Sequence, residues 1–308
     1  MDLTLHQLRL FLAVVEHDTI SAAAEALGYT PSAISQQLGG LEQACGVPIF
    51  ERVGRGLRLS DAGRVLVDHA HSVLNGAEAA LAAVARVDSV IEGTVVVSAY
   101  ESVASTLLPT LLTTARDRYP DLEIRVRQMD PDESIPALLR GDVDLAFTVD
   151  YPHSPLGPTA GVDTWDITHD RFHLVVPFDD ALGAEPVPLG SLANRPFISS
   201  PPGMSCGECV IAACRAAGFE PIINHALDDY PTALRLVAAG EGVALVPDLG
   251  LVRPPQGIRV IPLQDAVTRD VQLAVRSASA SRPSYLAVRD ALIIAAAELS
   301  LVTASRAA

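Results

Sequence analysis

The sequence predicts an α/β protein that opens with an N-terminal all-α winged helix-turn-helix, continues through a long linker helix and ends in a two-lobed α/β domain. Three observations predict it: short amphipathic helices over the first 45 residues, a seven-residue apolar repeat after residue 60, and apolar runs alternating with helical stretches beyond residue 93. With 308 residues, 49% apolar and 19% charged, the chain can bury a sizeable core and lacks the composition of a disordered protein.

Leu5, Leu8, Leu12 and Val15 recur at steps of three and four, which predicts a first helix with one buried stripe. Thr19 or Ser21 can cap a second helix through Ala22, Ala23, Ala26 and Leu27, and Gly28 can stop it. Thr30-Pro31 is a cap followed by proline at the first helical position, and Ile34, Leu38 and Leu41 form the inner stripe of a third helix. Two short helices joined by a tight turn and packed on a preceding helix have the layout of a helix-turn-helix, whose second helix enters the DNA major groove. Val47 to Phe50 and Leu57 to Leu59 are expected as two strands of a wing around Arg52-Val53-Gly54-Arg55-Gly56.

From Ser60 onward Leu66, Ala70, Val73, Ala77, Ala80, Val84, Val87 and Ile91 keep a regular seven-residue repeat. Such a seam suits two helices packed side by side, so this stretch is expected to be a dimerising linker about 45 Å long. The expected boundaries are 1–59 for the DNA-binding part, 60–92 for the linker and 93–308 for the rest. Within that last part, strands are expected at Val95–Val97, Leu122–Val126, Val143–Val149, Phe172–Val176, Val243–Val246 and Val271–Val275. Helices are expected at Leu107–Tyr119, Ile135–Arg140, Cys206–Ala217, Tyr230–Ala239 and Tyr285–Leu299. The alternation implies parallel sheets covered on both faces, and the loops between Asp150 and Asp170 suggest a crossing between two lobes, about 93–163 with 267–308 and about 164–266.

Charge and cysteine usage narrow the class. The formal charge is −15, which argues against a protein coated in nucleic acid. Residues 1–91 hold 6 Arg against 10 acidic residues, so most of the acidity belongs to the later part. Arg52, Arg55, Arg58 and Arg64 form a local positive cluster against Glu51 and Asp61. The four cysteines, at 45, 206, 209 and 214, are too few for a disulfide scaffold, and no run is long and apolar enough to span a membrane. With no export signal at Met1-Asp2, a cytoplasmic location is expected.

Specific strings sharpen the expectation. "AAEAL", "SAISQQLGGLE", "GVPIFER", the Arg-rich wing and "LSDAG" stand in the order and spacing of the DNA-binding region of LysR-type transcriptional regulators, which this chain resembles. "YPDLEIRV" with "LLRGDVDLAF" resembles the first regulatory lobe of that family, and "AAGFEP" with "LRLVAAGEGVALVP" the second. The resemblance implies a winged helix-turn-helix, a dimerisation helix and an effector domain of two Rossmann-like lobes similar to periplasmic binding proteins. It also implies a homodimer or homotetramer on double-stranded promoter DNA, a small-molecule effector between the lobes, and RNA polymerase as a partner.

By the same resemblance Thr30, Ser32, Ser35, Gln36 and Gln37 are the DNA-facing positions. The chemistry suits them, since Gln can pair bidentately with adenine and Ser can contact a base or a phosphate. Arg52, Arg55 and Arg58 are assigned to phosphate or minor-groove contacts. Many family members carry Arg where this chain has Gln36, so its half-site grip is expected to be weak, and two or more subunits must share the promoter.

Ligands of open α/β domains sit at the carboxyl ends of strands. The effector is therefore expected against Ser98, Tyr100, Glu101 and Ser102, the facing Ser199 and Ser200, and the strand ends at Gln128 and Thr148. Glu101, Asp130 and Asp150 make this region acidic, which favours a neutral or cationic effector over a free carboxylate.

Cys206, Cys209 and Cys214 carry a rival reading. A thiol at a helix N-terminus gains thiolate character, so a redox-responsive regulator of the same fold is an alternative. Cys206-Gly-Glu-Cys209 has zinc-like spacing but no second pair, so no metal or other cofactor is expected. No GxSxG, Walker or GxGxxG pattern occurs and the eight His are dispersed, which argues against an enzyme. A solute-binding protein would share the two-lobed domain but would not carry the 91 residues before it.

Overall fold

The first helix, α1 (Leu5–Glu16), begins where Thr4 and Gln7 close a capping box, each side chain accepting from the other's backbone N–H at 3.2 and 3.0 Å. The structure, a computed structural model, describes residues 3–53, 56–88, 91–152, 155 and 157–307. The chain divides into two compact units, Met1–Ser89 and Val90–Ala308.

In the first unit, α2 (Ile20–Leu27) is capped by Thr19, whose hydroxyl accepts from Ala22 N at 3.1 Å, and ends at Gly28 with φ 69°. Next, α3 (Pro31–Cys45) is capped by Thr30, and the strands β1 (Phe50–Val53) and β2 (Gly56–Leu59) pair antiparallel. Leu8, Phe11, Val14, Ala23, Ile34, Leu38, Leu41 and Ile49 form the core. The expected α1 stripe needs correction: Leu5 is exposed, Leu12 and Val15 are half-buried, and Leu10 and Phe11 are buried. The helix packs against α2, α3 and the following α4 (Asp61–Asp88), so a single stripe cannot serve it.

Val47 is not in the wing. Glu42 Oε1 accepts from Ile49 N at 2.9 Å and Phe50 N at 3.3 Å, which takes up the amides a longer strand would use. The helix α4 lies against the stretch before β1 so closely that a Cβ on Gly63 would stand 2.1 Å from Ile49 O. Along α4, Ala70 is buried in the core, while Val73, Leu81 and Val84 are exposed. The helix ends at Asp88, short of Ile91, which packs instead on the core of the second unit. The Val87 side chain lies outside the described residues.

The second unit runs β3 (Gly93–Ala99), α5 (Glu101–Arg118), β4 (Leu122–Gln128), α6 (Pro131–Arg140), β5 (Leu145–Asp150) and β6 (Val162–Pro177). It continues through β7 (Pro196–Ser199), α7 (Ser205–Ala216), β8 (Ile222–Ala226), α8 (Tyr230–Ala238), β9 (Ala244–Pro247), β10 (Ile258–Ile261), β11 (Thr268–Arg276) and α9 (Pro283–Ala307). Strand order is β10-β6-β11-β5-β3-β4, with β9 also on β6 and β7-β8 as a separate parallel pair.

The expected all-parallel sheets are thus mixed: β3 is parallel to β4 and β5, whereas β11 is antiparallel to β5 and β6. The reason is β6. Its residues 162–171 pair with β11, and its residues 172–177 pair with β9 and β10, so one strand serves both halves of the unit. The crossing expected in loops is carried by that strand. Phe172, Leu174 and Val176 stay in one core shared with Val97, Leu111, Phe147 and Leu273. Strands β7, β8 and β10 were not expected. They are four or five residues long, and β8 and β10 are only partly buried, so their alternation is weak.

Candidate functional site

On the first unit, Ser32, Ser35 and Gln36 are exposed on α3, on the side away from Ile34, Leu38 and Leu41, and Gln37 is half-buried beside that stripe. Thr30 plays a different part. Its hydroxyl accepts from Ala33 N at 3.3 Å and lies 3.1 Å from Ser32 Oγ, so it fixes the start of the helix. In the wing, Arg58 pairs with Glu51 at 3.0 Å and Arg64 pairs with Asp61, which offsets much of the expected positive cluster. Arg58 and Glu51 are both exposed, and such a pair is weak enough to yield Arg58 to a phosphate. The Arg52 side chain and Arg55 lie outside the described residues.

On the second unit, a cavity of about 140 Å³ opens where the N-terminus of α5 faces the end of β7. Tyr100, Glu101, Ser102 and Gln128 line it from one half, and Ser199, Ser200 and Cys206 from the other. The loop Ser200-Pro201 lies so close to α7 that a Cβ on Gly207 would stand 2.7 Å from Ser200 O and 2.5 Å from Pro201 O. Asp132, at the start of α6, accepts from Ser205 N at 3.1 Å and also from the Ser205 hydroxyl, joining the two sides at the rim.

Two expected residues are not there. Ser98 is fully buried and donates to Ser134 Oγ at 3.1 Å, because its place on β3 turns it toward α6. Thr148 stands opposite Gln272 across β5 and β11 and lines a different cavity of about 340 Å³, together with Asp150. The acidity attributed to Asp150 therefore belongs elsewhere.

Sequence reasoning missed the floor. Arg269 donates to Asp170 Oδ2 through Nε at 2.8 Å and to Ser102 Oγ through Nη2 at 3.0 Å, with both charged side chains almost fully buried. Asp170 Oδ1 accepts from Leu249 N at 3.2 Å. The Arg269 guanidinium lies 5.5 Å from the Tyr100 ring and 5.8 Å from that of Phe172. The signal existed: Arg269, Val271, Leu273 and Val275 alternate along β11, so Arg269 falls on the buried face. Also missed were Tyr151, Asp228, Asp229 and Tyr230, which line the same cavity. Tyr100 Oη and Ser199 Oγ are buried beside it without a hydrogen-bond partner among the described residues.

Comparison with known proteins matches these units to two families. Residues 5–64 fit the bacterial regulatory helix-turn-helix protein of the lysR family, and residues 88–297 fit the LysR substrate binding domain. The chain belongs to the LysR family of transcriptional regulators. This LysR regulator is 31% identical over 245 residues to the transcriptional dual regulator GltC of Bacillus subtilis, covering 79% of this chain and 80% of that one. It is 32% identical over 288 residues to a "probable hydrogen peroxide-inducible genes activator" of Mycobacterium leprae, covering 92% and 91%. A solved cysteine mutant of OxyR from Corynebacterium glutamicum superposes with a TM-score of 0.64 at 25% identity, covering 100% of this chain and 96% of that one. As a LysR-type DNA-binding regulator, it carries an N-terminal helix-turn-helix followed by a substrate-binding domain.

The three later cysteines of this LysR regulator differ in environment. Burial pushes the thiols of Cys209 and Cys214 up to about 12, reinforced by Cys206 in one case and Glu220 in the other. Both are therefore poor nucleophiles at neutral pH. Cys206 is half-buried on the cavity wall, with Sγ 3.2 Å from Tyr230 Oη. Among the described residues no helix is long and apolar enough to cross a membrane, and no three His, Cys, Asp or Glu groups could hold a metal ion.

Proposed function

We propose that this LysR regulator is switched by a small molecule held in the cavity between Tyr100–Ser102 and Ser199–Ser200. In this reading it contacts promoter DNA through Ser32, Ser35, Gln36 and Gln37, with Arg52, Arg55 and Arg58 on the phosphates. The single observation that carries the effector site is the pair of buried, unpartnered hydroxyls of Tyr100 and Ser199, contributed by opposite sides of one cavity. A buried hydroxyl without a partner is costly, and a ligand that bonds both would relieve that cost while drawing the two sides together. The exposed Val73, Leu81 and Val84 on α4 support a homodimer or higher oligomer through the linker, with the parts dividing at about 59 and 92. RNA polymerase as a partner and a cytoplasmic location, with no enzymatic role, complete the reading.

The test uses the full chain and a duplex selected from a random pool, followed by fluorescence anisotropy. Gln36→Ala and Ser35→Ala are expected to weaken binding about tenfold each and to relax preference at the contacted base pairs. Unchanged affinity and preference would remove the placement of α3 on DNA.

Oxidation sensing is the second reading, favoured by Cys206 at the cavity and by the name of the Mycobacterium leprae relative. Peroxide and the variants Cys206→Ser and Cys214→Ser decide it: a peroxide-induced change in DNA binding that either substitution abolishes would support it, and no peroxide-induced change in the unsubstituted chain would exclude it.

A further inference from the structure

The wall of the cavity carries four carboxyl groups: Glu101 at the start of α5, Asp130 before α6, Asp228, and Asp229 at the cap of α8. Arg269 is the one cation that lines it among the described residues, and that guanidinium is already matched by Asp170 and bonded to Ser102. A carboxylate ligand would therefore enter a negative field with no uncommitted guanidinium to receive it. The same cavity is lined by the tyrosines Tyr100, Tyr151 and Tyr230 and by Ile198 and Val210, an aromatic and apolar lining. Tyr100 and Ser199, residues 6% and 9% exposed, bring their buried, unpartnered hydroxyls to that lining.

We propose that the effector is a small organic cation, an amine whose ammonium sits among Glu101, Asp130, Asp228 and Asp229 while its body lies against the tyrosines and hydrogen-bonds the Tyr100 and Ser199 hydroxyls. This rests on the reading of the cavity as the effector site. A protonated amine gains from carboxylates and from aromatic faces together, and a cavity of about 140 Å³ fits a compact molecule.

The carboxyls already repel one another. Burial, together with Asp130, Asp229 and Asp132 around it, pushes the Asp228 carboxyl up to about 6. Glu101 is raised as well, by burial and then by Asp229, although Ser105 and Arg269 act the other way. An ammonium placed among them would favour the ionised forms, so binding releases protons near pH 6, and affinity rises with pH as Asp228 ionises. An anionic ligand would show the opposite slope.

The experiment titrates the full chain with putrescine and phenethylamine and, as charge-reversed counterparts, succinate and hydrocinnamate. Binding is read by calorimetry and by thermal melting between about pH 5 and about pH 8. At least one amine is expected to bind and raise Tm, more strongly at the higher pH, and to lose about tenfold in affinity in Asp228→Asn and in Ser199→Ala. If the acids bind instead, with affinity that falls in Ser199→Ala, the cavity stands as the effector site and the cationic ligand is refuted. If binding of every probe is indifferent to both substitutions, the site itself is wrong. No response to either amine at about 10 mM also overturns the proposal.

A ligand-free readout accompanies it. Asp228 is exposed enough for Asn to be tolerated. A carboxyl whose folded pKa is raised loses its stabilising contribution as pH climbs through about 6, so Asp228→Asn should melt higher than wild type above that pH. A lower Tm there would show that the carboxylates are held by the fold and are not kept for a cation.

Discussion

Arg58 meets Glu51 at 3.0 Å in open solvent, the two side chains 67% and 51% exposed, whereas Arg269 meets Asp170 at 2.6 Å with side chains 2% and 1% exposed. The first pair lies on the unit that carries the helix-turn-helix, the second beside the cavity lined by Tyr100 and Ser199. An exposed pair costs little to form or to break, so a wing arginine can exchange its glutamate for a phosphate. A buried pair cannot be exchanged, because either charge left alone would face a low-dielectric interior. The DNA-binding unit keeps its chemistry loose and local, and the regulatory unit fixes its chemistry in the fold.

The sharpest way to break this contrast is Arg269→Ala. It leaves Asp170 buried and uncompensated, and a loss of about 3–5 kcal/mol is expected in denaturant unfolding of the full chain. A loss below about 1 kcal/mol would show that water or rearrangement supports Asp170. Next comes Gly207→Ala, whose methyl would meet Ser200 O and Pro201 O at 2.7 and 2.5 Å. We expect destabilisation of about 1–3 kcal/mol together with weaker effector binding, because the Ser200-Pro201 loop that follows Ser199 must move. Thr30→Ala should cost about 1 kcal/mol through loss of the α3 cap and should weaken DNA binding only in proportion to that. Arg58→Ala should change the stability least, by about 0–1 kcal/mol in denaturant unfolding, while lowering the salt dependence of DNA binding by close to one phosphate contact. If Arg58→Ala destabilised as much as Arg269→Ala, the two pairs would not differ as described.

The same contrast explains what could be read from the sequence. In the N-terminal unit the caps at Thr19 and Thr30, the stop at Gly28 and the stripe Ile34, Leu38 and Leu41 are all local signals, and the structure holds each of them. Exposure of Ser35 and Gln36 follows from the same helical period. Errors there came from contacts across elements, as when Glu42 takes the amides of Ile49 and Phe50. In the regulatory unit, Tyr100, Ser199, Asp228 and Arg269 come from four separate segments, and nothing local relates them. Ser98 and Thr148 lie on strands expected near the cavity, yet alternation along β3 and β5 puts Val97, Phe147 and Val149 in the core and turns both away. The paired role of Arg269 needed Asp170, 99 residues distant in the chain, and the long strand β6 that brings it there.

The claim that effector binding belongs to the cavity of Tyr100 and Ser199 can be tested most directly by hydrogen exchange on the full chain, with and without whichever amine or acid of the probe series binds most tightly. Slowed exchange is expected of the amides around Tyr100–Ser102, Ser199–Ser200 and Leu227–Tyr230. Slowed exchange confined to the second cavity, around Thr148, Asp150 and Gln272, or no change around Tyr100 and Ser199, would contradict it.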